Sequence, residues 1–382
     1  MRRTRARLRL RRCRISRGGE ELHCDCAWPV RVRTRQPQQA SPWITHFDAE
    51  RKSQLTARTF AIVNQKGGVG KSTTAVNLGA ALAALGHSVL LVDMDPQGNA
   101  TSGVGISKSS LALTTYHALV GGEPMERAIR PTGTERLEIV PSDLRLAGAE
   151  VELVSQIARE TKLRAALRPV EGRYDLILVD CPPSLGLLTI NALTAVQACV
   201  IPVQCEFYAL EGLTQLMDTI ALVRRHLNPV LSVAGVVLTM VDPRTKLSDQ
   251  VADEVRRHFA DLVFATEVPR SVRLAEAPSY GMTALSYAPS SRGAAAYRGL
   301  ASELLARIGM PVVDGRHNHA EATRADVGDD RGHSADSDVA GDAPVERGAD
   351  SAGGSGPVVD SCRAELSVRA SRGQEGRGDG DG

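Results

Sequence analysis

The chain has 382 residues, 42% of them apolar, and a formal net charge of +2. This apolar content is ample for a core, and no apolar run reaches the roughly 18–20 residues that a membrane span needs, so we expect a soluble protein. The charge is uneven, because residues 1–35 hold 12 Arg and 3 acids, whereas residues 312–382 hold 15 acids and 8 Arg. This asymmetry indicates two extensions around a nearly neutral domain.

The first extension, residues 1–57, is rich in arginine and shows no apolar period. No apolar segment follows its arginine pairs, so neither pair is a convincing export signal. We predict a disordered extension, and the alternative is a basic arm that adds nonspecific affinity for nucleic acid. Without an export signal, the seven cysteines favour a reducing cytoplasm.

The segment 64–74 reads NQKGGVGKSTT. It lies between an apolar run, 59–64, predicted as a buried strand, and an alanine- and leucine-rich run, 75–85, predicted as a helix. A glycine-rich turn in this context binds phosphate, because its backbone N–H groups and the helix N-terminus point at one anion. Lys71 is placed to reach the β and γ phosphates of a nucleotide, and the Ser72 hydroxyl is placed to ligate Mg²⁺.

This loop departs from the usual pattern at its beginning. The common form has glycine at the position of Gln65, and here a second lysine, Lys66, follows. Lys66 is too early in the loop to be the usual phosphate-binding lysine. The chain has only six lysines, so two in one loop call for an explanation.

Strand and helix patterns alternate through residues 58–310. Several strands are continuous apolar runs, which is typical of parallel strands covered on both faces. The alternation predicts an α/β fold with a doubly wound, mostly parallel sheet, helices on both faces, and ligands at the carboxyl ends of the strands. The predicted strands are 59–64, 88–93, 137–140, 175–180, 198–203, 233–239 and 262–268, and the predicted helices include 150–167, 211–227, 247–259 and 294–308.

Two further motifs place aspartates at strand ends. Asp93 and Asp95 lie at the end of one buried strand. Because side chains alternate along a strand with a period of two, both are predicted to face the phosphates. A carboxylate there can orient the attacking water or support Mg²⁺ through bound water. The run 174–186 contains four apolar residues before Asp180, a Walker B pattern, so Asp180 is predicted to hold Mg²⁺ together with Ser72.

The second extension, residues 311–382, is acidic and rich in Gly, Asp and Ser. It has too few large apolar side chains to offset the entropy of an ordered chain, so we predict a disordered tail.

Taken in chain order, the glycine-rich loop and the two aspartate motifs resemble the ParA/Soj family of partitioning ATPases. This family belongs to the deviant Walker A group of P-loop NTPases. The resemblance runs from about residue 58 to 310 and includes the blocks 202–212, 238–245 and 268–279. It implies an ATPase that uses ATP and Mg²⁺ and forms an ATP-dependent homodimer.

The resemblance also implies roles for individual residues. Lys66 would stabilise the phosphates bound to the partner subunit, and Asp95 would help to position water, so that the catalytic set is Lys66, Lys71 and Asp95. Ser72 and Asp180 would hold the metal. The implied nucleotide-binding residues are Gly67, Gly68, Val69, Gly70, Lys71, Ser72, Thr73, Met240 and Pro269.

Family members bind DNA without sequence preference in the ATP state, and Arg244 and Arg273 match basic positions implicated in that binding. Each could instead be a solvated loop residue or part of an internal ion pair. A ParB-type centromere-binding partner would stimulate hydrolysis, which drives chromosome or plasmid segregation. The implied location is the cytoplasm, in association with the nucleoid.

Other hypotheses remain open. A MinD-like ATPase needs a C-terminal amphipathic helix, whereas the tail is acidic and glycine-rich; an ATPase that positions a protein cargo is a related alternative. An iron–sulfur ATPase needs cysteine pairs, and no C-x-x-C occurs in 58–310. Intact Lys66, Lys71, Ser72, Asp95 and Asp180 argue against an inactive DNA-coating protein.

Overall fold

The computed structural model describes residues 57–206 and 209–312. The predictions for the two extensions therefore lie almost wholly outside the described residues. Within these two ranges, no helix is both long enough and apolar enough to cross a membrane.

Strands and helices alternate along the described chain. The strands are β1 (Arg58–Ile62), β2 (Val89–Asp93), β3 (Arg130–Pro131), β4 (Leu137–Val140), β5 (Leu176–Asp180), β6 (Ala198–Gln204) and β7 (Ser232–Thr239). The helices are α1 (Lys71–Ala84), α2 (Asn99–Gly103), α3 (Thr115–Leu119), α4 (Met125–Ala128), α5 (Leu146–Val154), α6 (Lys162–Leu167), α7 (Leu187–Ala195), α8 (Ala209–His226), α9 (Lys246–Phe259), α10 (Val272–Glu276), α11 (Ala284–Tyr287) and α12 (Arg292–Arg307).

The strands form one sheet in the order β3-β4-β2-β5-β1-β6-β7. All neighbours are parallel except β3, which pairs antiparallel with β4. Apolar residues of β1 alternate between the two faces, with Phe60 and Ile62 in one core cluster and Ala61 in the other. The predicted doubly wound α/β fold is therefore confirmed.

The predicted strand at 262–268 is wrong. This segment begins in a 3₁₀ turn, Ala260–Leu262, and contacts β7 through an isolated bridge at Val263 and through the amides of Phe264 and Val268, without forming a continuous strand. Side chains of α12 take the place of a neighbouring strand: Arg307 donates to the carbonyls of Leu262 and Val263. The Glu303 carboxylate likewise accepts from the next amides, those of Ala265 and Thr266.

The predicted helix at 150–167 is interrupted. The chain passes through a left-handed residue, Ala158 at φ 54°, between α5 and the 3₁₀ turn Arg159–Thr161 that leads into α6. The side chain of Asn191, on α7, spans this break by donating to the Arg159 carbonyl and accepting from the Leu163 amide. A hydrogen bond from a distant helix thus stabilises a turn that local pattern does not reveal.

A glycine pair joins the end of α2 to the turn before α11. Gly105 (φ 86°) and Gly281 (φ 63°) both have left-handed backbones. A Cβ at Gly105 would lie 2.8 Å from the Gly281 carbonyl oxygen, which is closer than real Cβ contacts. Only glycine therefore fits this crossing without a backbone shift.

Gly105→Ala is expected to lower the free energy of unfolding by about 2–4 kcal/mol, because left-handed strain and overpacking add together. Urea denaturation followed by circular dichroism would measure the change. Gly133→Ala is the control, since a Cβ there meets nothing within 4 Å. Equal stability of the two variants would contradict the argument.

Candidate nucleotide site

The glycine-rich loop connects the end of β1 to the start of α1. Gly68 and Gly70 have φ of 75° and 87°, so the two positive-φ glycines turn the backbone into the helix N-terminus. Both Ile62 on β1 and Asp93 on β2 pair with Asp180 on β5. This register brings the three motifs together at one edge of the sheet.

A cavity of about 430 Å³ opens at this edge. It brings together eight of the predicted site residues, which are Gly67, Gly68, Gly70, Lys71, Ser72, Thr73, Asp95 and Met240. Sequence reasoning missed Val76, Asn77, Gln97, Asn99, Ser102, Gly103, Pro183, Pro278 and Met282 as lining residues.

Some of the missed residues had a local signal and some had none. Gln97 and Asn99 follow soon after Asp95 in the chain, and Asn77 lies one helical turn after Thr73. Pro278 lies within the block 268–279, whereas Met282, next to Gly281, belongs to none of the motifs.

Lys71 is buried beneath the loop. Its side chain is held by a 3.0 Å hydrogen bond from Nζ to the Lys66 carbonyl. Burial lowers the pKa of Lys71, and the nearby Asp180 and Asp95 carboxylates oppose that change. A phosphate anion would supply the negative charge that a buried ammonium lacks, so the position suits phosphate binding.

Asp93 does not face the cavity, contrary to prediction. Its buried carboxylate accepts from the Thr101 amide and hydroxyl and from the Asp95 amide. Burial raises its pKa to about 6, although these hydrogen bonds oppose the shift. Asp93 therefore positions the Asp95 turn and the start of α2, while Asp95 is the acid that reaches the cavity.

Asp180 is the candidate metal-supporting residue. It is fully buried, and neither carboxylate oxygen has a hydrogen-bond partner in the described part of the chain. Burial and the neighbouring Asp93 and Asp95 carboxylates raise the pKa of Asp180 well above the usual value. The nearby Ser72 hydroxyl and the Lys71 charge lower the pKa but do not cancel this shift. An unsatisfied buried carboxylate close to a hydroxyl fits a hydrated divalent cation, so the donors match the predicted Mg²⁺ site.

Lys66 does not line the cavity. Its Nζ lies 2.6 Å from the Glu206 carboxylate, with both side chains well exposed. The preceding Gln65 donates to the Gly212 carbonyl and to the Gln215 side chain on α8. The beginning of the loop is therefore fastened to the segment after β6, a set of contacts that the sequence did not reveal.

The remaining predicted residues lie at different places. The Val69 side chain is buried, and its carbonyl accepts from the Thr239 hydroxyl. Pro269 pairs with Val241 in an isolated bridge and does not line the cavity, so its nucleotide contact stays a prediction.

Both arginines predicted to bind DNA are exposed and paired. Arg244 lies 2.7 Å from Asp242, and Arg273 lies 2.8 Å from Glu276. Ion pairs between exposed groups are weak, so both guanidinium groups remain accessible to another anion. Both contacts are internal ion pairs, which were considered under Sequence analysis as the alternative to DNA binding. DNA binding by Arg244 and Arg273 therefore stays a prediction.

A positive-φ glycine loop between a parallel strand and a helix, a buried lysine beneath it, and an unsatisfied carboxylate on the adjacent strand define a P-loop NTPase. Comparison with known proteins agrees, because a family described as an AAA domain matches residues 57–233. The sporulation initiation inhibitor protein Soj of Bacillus subtilis is 56% identical over 249 residues, covering 65% of this chain and 98% of Soj. The chromosome partitioning protein ParA of Myxococcus xanthus is 51% identical, covering 68% of this chain and 91% of that protein.

The chain therefore belongs to the ParA/Soj family of chromosome-partitioning ATPases. Among solved structures, a protein described as cobyrinic acid a,c-diamide synthase of Mycobacterium smegmatis, with bound ADP and magnesium, is 37% identical with a TM-score of 0.59. That match covers 67% of this chain and 98% of the other. The predicted family, fold and ATPase activity are confirmed.

Proposed function

We propose that the chain is a partition ATPase that dimerises when it binds ATP, holds DNA without sequence preference in that state, and releases it after hydrolysis. A ParB-type partner would stimulate hydrolysis, and the cycle would segregate a chromosome or plasmid. The relatives named Soj and ParA support partitioning as the process.

The observation that carries this proposal is the division of labour between the two loop lysines. Lys71 is buried under its own cavity, whereas the Lys66 side chain is 38% exposed and its Nζ lies 2.6 Å from the Glu206 carboxylate. An exposed ammonium at the rim of a phosphate site is available to the nucleotide of a second subunit. The weak surface pair with Glu206 does little to oppose that exchange.

ATP and Mg²⁺ are the cofactors, and the cavity provides for both. The backbone amides of the loop, with Lys71 and Thr73, bind and orient the phosphates. The Ser72 hydroxyl and the Asp180 carboxylate would hold the cation, which would supply positive charge beside the phosphate oxygens. Asp95 accepts the Gln97 amide at 2.9 Å, which positions its carboxylate to orient water.

DNA binding provides the decisive test. Duplex DNA of arbitrary sequence should be shifted in a gel by the protein with ATP, and not with ADP or without nucleotide. Arg244→Glu and Arg273→Glu should each weaken this binding at least about tenfold and flatten its salt dependence, because each dimer loses two phosphate contacts.

Arg127→Glu is the matched control for Arg273→Glu. Arg127 is similarly exposed and is also paired with a glutamate of its own neighbourhood, Glu123. Equal losses in the two variants would indicate a general charge effect and remove the assignment of Arg273. ATP-dependent binding to liposomes without DNA binding would replace the proposal with a MinD-like function.

The proposal extends to the limits and location of the ATPase. We assign the ATPase domain to residues 58–310 and the flanking residues to extensions, in the cytoplasm and associated with the nucleoid. Limited proteolysis should leave a core with these limits, and a stable core of clearly different length would contradict the assignment.

A further inference from the structure

The turn that follows β2 carries Asp95 and Gln97, which both line the nucleotide cavity. Its backbone is closed by a 2.8 Å hydrogen bond from the Gly98 amide to the Asp95 carbonyl. The Gln97 amide also donates to the Asp95 carboxylate at 2.9 Å. The orientation of this carboxylate is therefore linked to the position of the Gln97 backbone, and a group that holds the backbone also aims the carboxylate.

Lys108 reaches this turn from a later segment of the chain. It begins a 3₁₀ turn, Lys108–Ser110, and its Nζ atom donates to the Gln97 carbonyl at 2.7 Å. Its alkyl stem lies against Gly98, because a Cβ at Gly98 would lie 2.8 Å from the Cδ atom of Lys108. The same Cβ would lie 2.7 Å from the Ser142 carbonyl oxygen, so two later segments of the chain pack on the turn.

The Lys108 ammonium has no competing acidic partner. No carboxylate of residues 57–206 and 209–312 forms an ion pair with it. The Gln97 carbonyl thus accepts from a charged donor, and such hydrogen bonds are stronger than those between neutral groups. Lys108 is exposed and does not line the cavity, so it contacts the turn rather than a bound nucleotide.

We propose that Lys108 is a positioning residue for ATP hydrolysis, which holds the Gln97 carbonyl and thereby aims the Asp95 carboxylate at the attacking water. The proposal rests on the role of Asp95 in the proposed function. Without the ammonium, the turn is held at one point fewer, and the carboxylate has the productive orientation for a smaller part of the time. The rate depends on this orientation, because a displacement of about 1 Å can cost about 10²-fold.

Lys108→Met tests the proposal, because it removes the ammonium and keeps an unbranched side chain against Gly98. With the full chain and Mg²⁺, kcat for ATP hydrolysis should fall about tenfold. The affinity for ATP should change by less than about twofold, since Lys71 and the glycine-rich loop keep their own contacts.

Phosphate release would give kcat for this variant, at protein concentrations where the specific rate no longer rises and dimerisation does not limit it. Titration with a fluorescent ATP analogue would give the affinity. An unchanged kcat, or equal losses of kcat and affinity, would overturn the proposal.

Two further lysine variants identify the hydrogen bond as the cause. Lys108→Arg should keep at least about half of kcat, because a guanidinium group can donate to the same carbonyl. Lys246→Met, which removes an exposed lysine at the start of α9, should hydrolyse ATP at the native rate. A loss in Lys108→Arg as large as in Lys108→Met would contradict the hydrogen bond. An equal loss in Lys246→Met would indicate a general effect of charge and would also overturn the proposal.

Amide hydrogen exchange measures the turn directly. In Lys108→Met, peptides that cover residues 96–101 should exchange at least about threefold faster, because the Gln97 and Gly98 amides lose protection. Peptides that cover α1 should exchange at the native rate. Unchanged exchange in the turn would overturn the proposal, and faster exchange throughout the domain would replace it with a purely structural role.

Asp95→Asn separates the role of Lys108 from the role of Asp95. This variant should slow hydrolysis at least as much as Lys108→Met does. If Asp95→Asn hydrolysed ATP at the native rate, the roles of both residues would be refuted. If Asp95→Asn were slow and Lys108→Met were not, the role of Lys108 alone would be refuted. ATP-dependent DNA binding is measured separately, so the proposed partition function can stand or fail without either result.

Discussion

Lys71→Ala should weaken the binding of both ATP and ADP by about 10²–10⁴-fold. Lys71 is buried, so its ammonium meets the phosphates out of water, where removal of one charged partner costs about 3–5 kcal/mol. The anionic phosphates would then lie against Asp95 and Asp180 without the opposing charge. Titration with a fluorescent ATP analogue would measure the loss.

Loss of folding is not expected to explain this result. Burial lowers the pKa of Lys71, so the cost of burying its charge offsets the contacts that it makes with the Lys66 carbonyl and with the Asp180 and Asp95 carboxylates. Thermal unfolding without nucleotide would verify this. Lys246→Ala, at the exposed start of α9, should bind nucleotide normally, and near-native affinity of Lys71→Ala would refute the nucleotide site.

Lys66→Ala should impair stimulated turnover and leave nucleotide binding nearly unchanged. Nucleotide binding to the monomer should change by less than about threefold, because Lys66 does not line the cavity. Turnover stimulated by the ParB-type partner should fall about 10²-fold or to the unstimulated rate, since a cation directed at the transferred phosphoryl group is lost. Phosphate release in the presence and absence of the partner would measure the ratio.

Glu206→Gln provides the comparison, because it breaks the same ion pair and keeps the lysine. This variant should retain stimulated turnover. If Glu206→Gln lost turnover as fully as Lys66→Ala, the ion pair itself would be required. Full stimulated turnover in Lys66→Ala would show that Lys66 does not act on the nucleotide of a second subunit.

The sheet was largely predictable because its signals are local. The central strands are buried on both faces, so each appears as an uninterrupted apolar run that ends in a loop or an acid, as in β2 and β5. The glycine-rich loop was equally clear, since positive φ at Gly68 and Gly70 depends on residue type. Strand order follows from chain connectivity and twist rather than from pattern.

Elements that depend on distant side chains were not predictable. Residues 262–268 have strand-like composition, but Arg307 and Glu303 satisfy their backbone from α12. The break at Ala158 is supported by Asn191 from α7. In both cases, the deciding hydrogen bond comes from a residue about 30–45 positions away in the chain.

The candidate site likewise contains residues that local motifs identified and residues that depend on distant contacts. Lys71, Ser72 and Asp95 were found because their motifs place them directly at the cavity. The role of Asp93 was misassigned because strand alternation does not show that Thr101, eight residues on, supplies its hydrogen bonds. Met282 was missed because it belongs to no motif and lies beside Gly281, where the backbone crosses Gly105.

The position of β5 has a consequence for biosynthesis. β5 lies between β2 and β1, which both precede it in the chain. As the protein emerges from the ribosome, about 80 residues separate the end of β2 from the strand that must enter between it and β1. Until then β1 lacks both of its partner strands and β2 lacks one of its two, and non-local pairing of this kind is slow. Because Asp180 arrives on this late strand, ATP would stabilise the completed sheet by mass action without guiding its earliest steps.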